Sequence, residues 1–301
     1  MTAFLLLVLV WLIWGVSYPV TAIALKGFGV MTVRCLVQLL GAGALFLHAG
    51  LRRQSFAVER EAWRDLAISG LLNMAVLPVC FTLGVYLLGP GRTSILVYTM
   101  PIWASLLAWP MLGERLTRNR VAALFLAAAA IAVLLSQDLS HLRNAPLGAA
   151  ITLVAAVAFG LGTVWFKRRE WHAGLSVVVG WQILVGLVPM SLIWLLTSFP
   201  PDFARAGERE WLALLFLGAG ANGLAYFAWF RVVQKLPAGL SSISALVVPC
   251  VGVVSSAWLT GERLHPRDLV AMAMILLALL LVLGERLRPG RWLGVRRAAG
   301  K

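Results

Sequence analysis

Ten apolar runs, each close to a bilayer in length, follow one another along this chain: roughly 3–25, 31–50, 66–88, 91–112, 120–136, 146–166, 174–198, 211–233, 238–260 and 267–284. A helix needs about 20 such residues to cross the hydrocarbon core. The runs 66–88 and 91–112 are divided only by Gly89-Pro90-Gly91, a turn signal. Residues 120–136 and 267–284 are short for a span, which thinning of the bilayer or burial of their ends accommodates. Hydrophobic residues make up 61% of the 301 and charged ones 13%, against about 45–50% and about 25% in soluble domains. Mean hydropathy is +0.89. The sequence therefore predicts an all-α integral membrane protein with ten transmembrane helices and the lipid bilayer as its solvent. The first run ends near Ala22-Ile23-Ala24, which resembles a signal-peptide cleavage site. No Lys or Arg precedes it, however, and it contains Trp11, Trp14 and Pro19, so it reads as a retained helix.

The net charge of +14 describes topology here, not a nucleic-acid partner, because the basic residues punctuate apolar runs instead of lining one face. Of the 26 Lys and Arg, Arg34 lies inside the second run. Seven (Lys26, Arg92, Arg143, Arg205, Arg209, Arg263 and Arg267) fall at one end of the spans, and the other 18 at the opposite end or in the basic tail 285–301. The positive-inside rule then puts both termini in the cytoplasm. The connecting segments leave no room for a nucleotide-binding or catalytic domain, and no Walker-type loop occurs, which excludes ATP-driven transport by this chain alone.

Chemistry within the spans is neutral. All twelve acidic residues sit at loops or helix ends, so the carboxylate that marks a proton relay or cation site in many transporters is missing from mid-span. The four histidines sit at span ends or loops, and Cys35, Cys80 and Cys250 lie inside apolar runs without metal-ligand spacing. Neither a cofactor nor a metal is expected, and no hydrolase motif argues for an enzyme. Arg34, near the outer end of its span, is expected to snorkel to the headgroups or to pair with an anion at the external mouth.

A second constraint is internal. Gly91, Ser94, Ile95, Pro101, Gly113, Glu114, Arg115 and Leu116 recur, at a constant offset of 148, as Gly239, Ser242, Ile243, Pro249, Gly261, Glu262, Arg263 and Leu264. Each copy belongs to a five-helix half. An odd number of spans turns the second half over, giving two inverted five-helix repeats, residues 1–138 and 139–284, the arrangement of alternating-access transporters. Gly113 and Gly261 suit left-handed helix ends, and Glu114 and Glu262 then meet the dipole at the start of the following helix. With an early Trp14-Gly15-x-Ser17, these two Pro…Gly-Glu-Arg-Leu blocks resemble the EamA-type branch of the drug/metabolite transporter superfamily over essentially the whole chain. The first motif departs in the second half, where Phe159-Gly160 stands opposite Trp14-Gly15. The resemblance implies a central cavity lined by helices 1, 3, 4, 6, 8 and 9 and a small metabolite as cargo, often exported. The Trp- and Tyr-rich spans are similar to those of aromatic amino-acid exporters.

Candidate cavity residues follow from polarity at mid-depth. Asn73 and Asn222 occupy corresponding spans, and an amide in lipid must turn inward to find a partner. Asn222 shares a helix face with Tyr226, as Trp14 does with Tyr18. Tyr98 and Trp103 flank Pro101, Ser244 precedes Pro249, and Trp165 completes the set, whereas Trp63, Trp171, Trp194, Trp211, Trp258 and Trp292 are assigned to interfacial belts. Pro78, Pro101 and Pro249 are hinge candidates, since each removes a backbone hydrogen bond. The expected cargo is an apolar, aromatic amino acid held by neutral groups, moved by a secondary transporter of the bacterial inner membrane. The alternatives are efflux of quaternary ammonium compounds and a structural membrane subunit. Oligomeric state is not legible.

Overall fold

A chain inside a bilayer must satisfy its backbone polar groups internally, and each apolar run does so as helix. The computed structural model describes residues 2–97, 99–114, 117–135, 146–260 and 266–284, and every regular element among them is helical. Helix α1 spans Thr2–Gly27 and α2 Val30–Leu51. Helix α3 runs from Trp63 to Leu88 through a π-helical turn at Leu71–Val76. Helices α4 (Pro90–Val97), α5 (Met100–Leu112) and α6 (Arg118–Leu135) complete the first half. Helix α7 spans Pro146–Arg168 and α8 Leu175–Thr197. Helix α9 runs from Glu208 to Lys235 through a second π segment at Phe216–Ala225. Helices α10 (Ala238–Ser244), α11 (Val247–Thr260) and α12 (Pro266–Gly284) end the described chain. Among these residues, seven stretches are long and apolar enough to cross a membrane, and Met100–Leu112 and Leu269–Ala278 are shorter apolar helices.

The expected fourth and ninth spans are each interrupted by a short turn, which divides them into α4–α5 and α10–α11. Leu240–Leu259 remains one apolar stretch, and the interruptions fall within one residue of each other in the two copies of the sequence repeat. At the breaks the backbone tightens to three-residue turns: Thr99 N–H donates to Leu96 C=O at 3.2 Å and Leu246 N–H to Ile243 C=O at 3.1 Å. Pro101 and Pro249 thus lie within the first turn of a new helix, where a missing N–H costs nothing, and do not kink a long one.

Small residues decide which helices touch. A Cβ on Gly15 would lie 2.5 Å from Val251 Cβ, so α1 lies directly on α11, and one on Gly160 would lie 2.8 Å from the Ala104 backbone N, so α7 lies directly on α5. Val251 and Trp103, the side chains met in these two contacts, are themselves repeat equivalents. Helix α2 packs along α8 and α6 along α12. Ala123, Ala127 and Ala130 meet Ala271, Ile275 and Ala278 in a close seam, the small-residue packing that replaces hydrophobic driving force between helices in lipid. The outward faces remain apolar, with Leu47, Phe125, Val188, Leu196 and Trp258 exposed. Buried Ser and Thr return their hydroxyls to their own helix, Thr21 to Ser17 C=O at 2.7 Å and Thr152 to Gly148 C=O at 2.8 Å.

Candidate functional site

Side-chain hydrogen bonds from other helices converge on the two π segments. A π turn leaves carbonyls without their usual i+4 donor, and such turns are frequent at functional sites. Here side chains from other helices serve them. Tyr226 Oη–H donates to Asn73 C=O at 3.3 Å and Trp14 Nε1–H to Ala221 C=O at 3.2 Å. Gln38 Nε2–H donates to Met74 C=O, while its Oε1 accepts from Asn222 Nδ2–H. Gln38 therefore ties the π turn of α3 to that of α9. Sequence reading missed it, although it is an amide within the span and Arg34, four residues earlier, marks the same face of α2 as polar.

Beside this junction lies a cavity of about 90 Å³. Its wall is largely apolar and aromatic: Trp14, Tyr18, Phe81, Phe159 and Tyr226, with Leu77, Pro78, Val97 and Met100. The polar groups are Ser17, Thr21, Asn222 and the guanidinium of Arg34. Helix α2 contributes to this wall and α11 does not, unlike the expected set of lining helices. The Gly15–Val251 contact seals α11 off behind α1. Away from the turns at 28–29 and 89, the cavity ends on a packed aromatic column. Trp14 contacts Phe159, Tyr226 and Trp229 at ring separations of 5.9, 5.2 and 5.5 Å. Tyr226 then meets Phe230, Phe230 meets Phe166, and Phe166 meets Trp171. Trp229, Phe159, Phe166 and Phe230 are all buried.

Of the candidates, Trp14, Tyr18, Asn222, Tyr226 and Pro78 meet at this cavity. Asn73 is buried against Gly162 and offers the junction its carbonyl, with its side chain behind the wall. Trp103 lies beside Gly160, its Nε1–H on Thr99 Oγ1 at 3.3 Å. Ser244 donates to Leu240 C=O at 2.9 Å on its own helix. Trp165 belongs to the far end of the bundle, where Nε1–H donates to Asp65 Oδ1 at 3.0 Å and Arg168 lies over its ring. Tyr98 lies outside the described residues, as do the repeat residues Arg115, Leu116 and 261–264.

The expectation for Arg34 changes: it does not snorkel, being 6% exposed and facing the cavity, which is therefore not electrically neutral. Trp171 and Trp194, assigned to belts, stand half-buried near helix ends, with Nε1–H donating to Phe166 C=O at 2.9 Å and Thr32 Oγ1 at 3.0 Å. The Gly113 expectation holds, with φ +66°, but Glu114 caps a helix of the other half. Its Oε1 accepts from Ala238 N–H, at the start of α10, at 2.8 Å, with Lys167 Nζ 4.0 Å away. Lys167 also donates to the Val233 and Leu236 carbonyls ending α9. Nearby, Arg169 bridges Asp65 at 3.2 Å and Glu59 at 3.6 Å.

A multi-pass α-helical membrane protein built around one amphipathic cavity is the class these features define. More particularly, the chain belongs to the EamA-like transporter family, whose description matches residues 1–136 and again residues 146–294. It is similar to a protein of Streptantibioticus cattleyicolor named "probable terminal-alkyne amino-acid exporter", 28% identical over 97% of this chain and 95% of that one. A "probable amino-acid metabolite efflux pump" of Salmonella typhimurium is 26% identical over 94% and 95% of the two chains. The "uncharacterized transporter YoaV" of Bacillus subtilis is 24% identical over 91% of each. A crystal structure of a protein 19% identical to this one superimposes with a TM-score of 0.79 over 96% of this chain and 99% of the other, a likeness of fold alone. Family and relatives are named as transporters, not enzymes.

Proposed function

We propose that this protein exports amino acids with apolar, aromatic side chains from bacterial cells, as a secondary transporter of the inner membrane working by alternating access. On this reading ten spans form two inverted five-helix repeats, residues 1–138 and 139–284, with both termini and the basic tail 285–301 in the cytoplasm. The names of the relatives supply the amino-acid class. The observation that carries the mechanism is the location of the cavity, beside two π turns in corresponding spans and against the broken helix α4–α5, whose counterpart α10–α11 packs behind α1. Interrupted helices in matched positions mark the substrate site of inverted-repeat transporters. Equivalent helices also touch one another, α2 with α8, α6 with α12, and α1 with α7 through Trp14 and Phe159, as two-fold-related halves require. The breaks before Pro101 and Pro249 are the proposed hinges, with Pro78 beside the first π turn as a third. Trp14 and Tyr226 supply stacking surface for an aromatic side chain, about 0.5–1.5 kcal/mol per ring pair beyond area burial.

Counterflow of L-phenylalanine in proteoliposomes tests this. Wild-type protein is expected to exchange the amino acid, and Trp14→Ala to do so several-fold more slowly. A purified protein that moves quaternary ammonium dyes and no amino acid overturns the cargo assignment and leaves the fold intact.

A further inference from the structure

Arg34 sits in the second turn of α2, some 6 Å along the helix from its first residue at a rise of about 1.5 Å per residue. An arginine so placed can reach the headgroups, and in most spans it does. This one turns inward, is 94% buried and forms part of the cavity wall. Among the described residues no carboxylate pairs with it, its Nε–H has no acceptor, and no Asp or Glu lines the cavity. Its electrostatic neighbours are Tyr226 and Cys35, groups that carry no charge at ordinary pH. An intramembrane cation without a protein counter-ion is expensive and marks a function. The planar fork of a guanidinium matches a carboxylate through two parallel hydrogen bonds.

We propose that Arg34 is the binding site for the carboxylate of the transported molecule, and that the cavity selects monocarboxylates with an apolar or aromatic body, the amine being dispensable. This deepens the exporter reading and rests on it for the identity of the cavity. The wall divides accordingly. Arg34, with Tyr226 beside it, takes the anionic group, and the rings of Trp14 and Phe81 with Leu77 and Met100 take the apolar body. Among the described residues no Asp or Glu lines the cavity to hold an ammonium, so amines lacking a carboxylate, quaternary ammonium compounds included, meet the repulsion of Arg34 without a compensating charge.

Direct binding to the purified full-length protein in detergent tests the proposal. The probes are L-phenylalanine, 3-phenylpropionate (no amine), and phenethylamine and L-phenylalaninamide (no carboxylate). The two carboxylates are expected to bind with affinities within a few-fold of each other, and the two amines not to compete. Arg34→Gln should weaken the carboxylates about 10- to 100-fold, the range for a charge-assisted pair, and Arg34→Lys less. Arg34→Gln should also unfold at a higher temperature than wild type in the absence of ligand, because it removes a buried, unpaired charge. An arginine that merely holds the helices together would give the opposite shift. The proposal is overturned if phenethylamine binds as well as 3-phenylpropionate, if no carboxylate binds, or if Arg34→Gln binds carboxylates normally and melts earlier. Carboxylate binding in detergent with no movement across proteoliposomes would instead sink the transporter reading and leave the Arg34 site standing.

Discussion

Gln38 does more with one side chain than any residue singled out by sequence. Its amide satisfies the freed Met74 carbonyl and accepts from Asn222, both bonds being buried. Gln38→Leu leaves a buried acceptor and a buried donor unpaired at once, each costing about 1–3 kcal/mol. We expect a markedly lower thermal midpoint and a substrate affinity reduced with it, whereas Gln38→Glu, still an acceptor toward Asn222, is expected to be intermediate; differential scanning fluorimetry with ligand titration checks both. Asn222 was legible because an amide at mid-span has few alternatives to facing inward, and Tyr226, four residues on, shares its face. The same rule reaches Gln38, an amide within α2 with Arg34 four residues earlier on the same face; what sequence could not supply is its partners, Met74 and Asn222. Trp165 misled for a different reason: in a span that ends in Lys167-Arg168-Arg169, depth could not be told from sequence closely enough to separate a cavity from the polar end.

At the scale of elements, two glycines set the wall. Both would meet atoms under 3 Å away if given a Cβ, but the atoms differ in kind. Gly15 faces the Val251 side chain, so Gly15→Ala should destabilise and Val251→Gly should restore most of the loss. Gly160 faces the backbone N of Ala104, which no side-chain change removes, so Gly160→Ala should stay destabilised when Trp103→Gly is added. Overpacking of this kind costs roughly 1–3 kcal/mol, and thermal midpoints of the two single and two double variants decide the matter. The repeat in the sequence located the matched α4–α5 and α10–α11 segments, with Pro101 and Pro249 as the cue. It did not reveal that the helix actually stops, because a proline one turn inside a span is equally compatible with a kink. The π turns were not read as such either, although Pro78, with no N–H for the Met74 carbonyl four residues earlier, is a local cue to the first; the side chains that serve the carbonyls of Asn73, Met74 and Ala221 come from elsewhere in the fold.

Across the whole molecule, the end of the bundle away from the cavity is held by charge as well as by rings. Glu114 reaches from the end of α5 to the N-terminus of α10, and Lys167 reaches from α7 to the C-terminus of α9. Each charge meets the dipole end of opposite sign on another helix. Removing the cap with Glu114→Ala should cost about 1–2 kcal/mol, the scale of a lost helix cap. Glu114→Gln keeps an acceptor and should cost less, by an amount that shrinks as salt is raised; chemical unfolding at low and high ionic strength separates the two. The repeat made Glu114 visible as a helix anchor, yet the partner helix was out of reach of sequence, because the contact joins residues 124 apart in the chain. The aromatic column above that clasp has a spectroscopic consequence. Trp14 and Trp229, with ring centroids 5.5 Å apart and planes inclined by 47°, form a chiral pair of coupled chromophores. Their transitions mix into an exciton couplet in the circular dichroism, whose amplitude depends on that separation and tilt. Any movement that parts the floor of the cavity must also uncouple the pair, so the protein carries its own optical gauge of whether that floor is open.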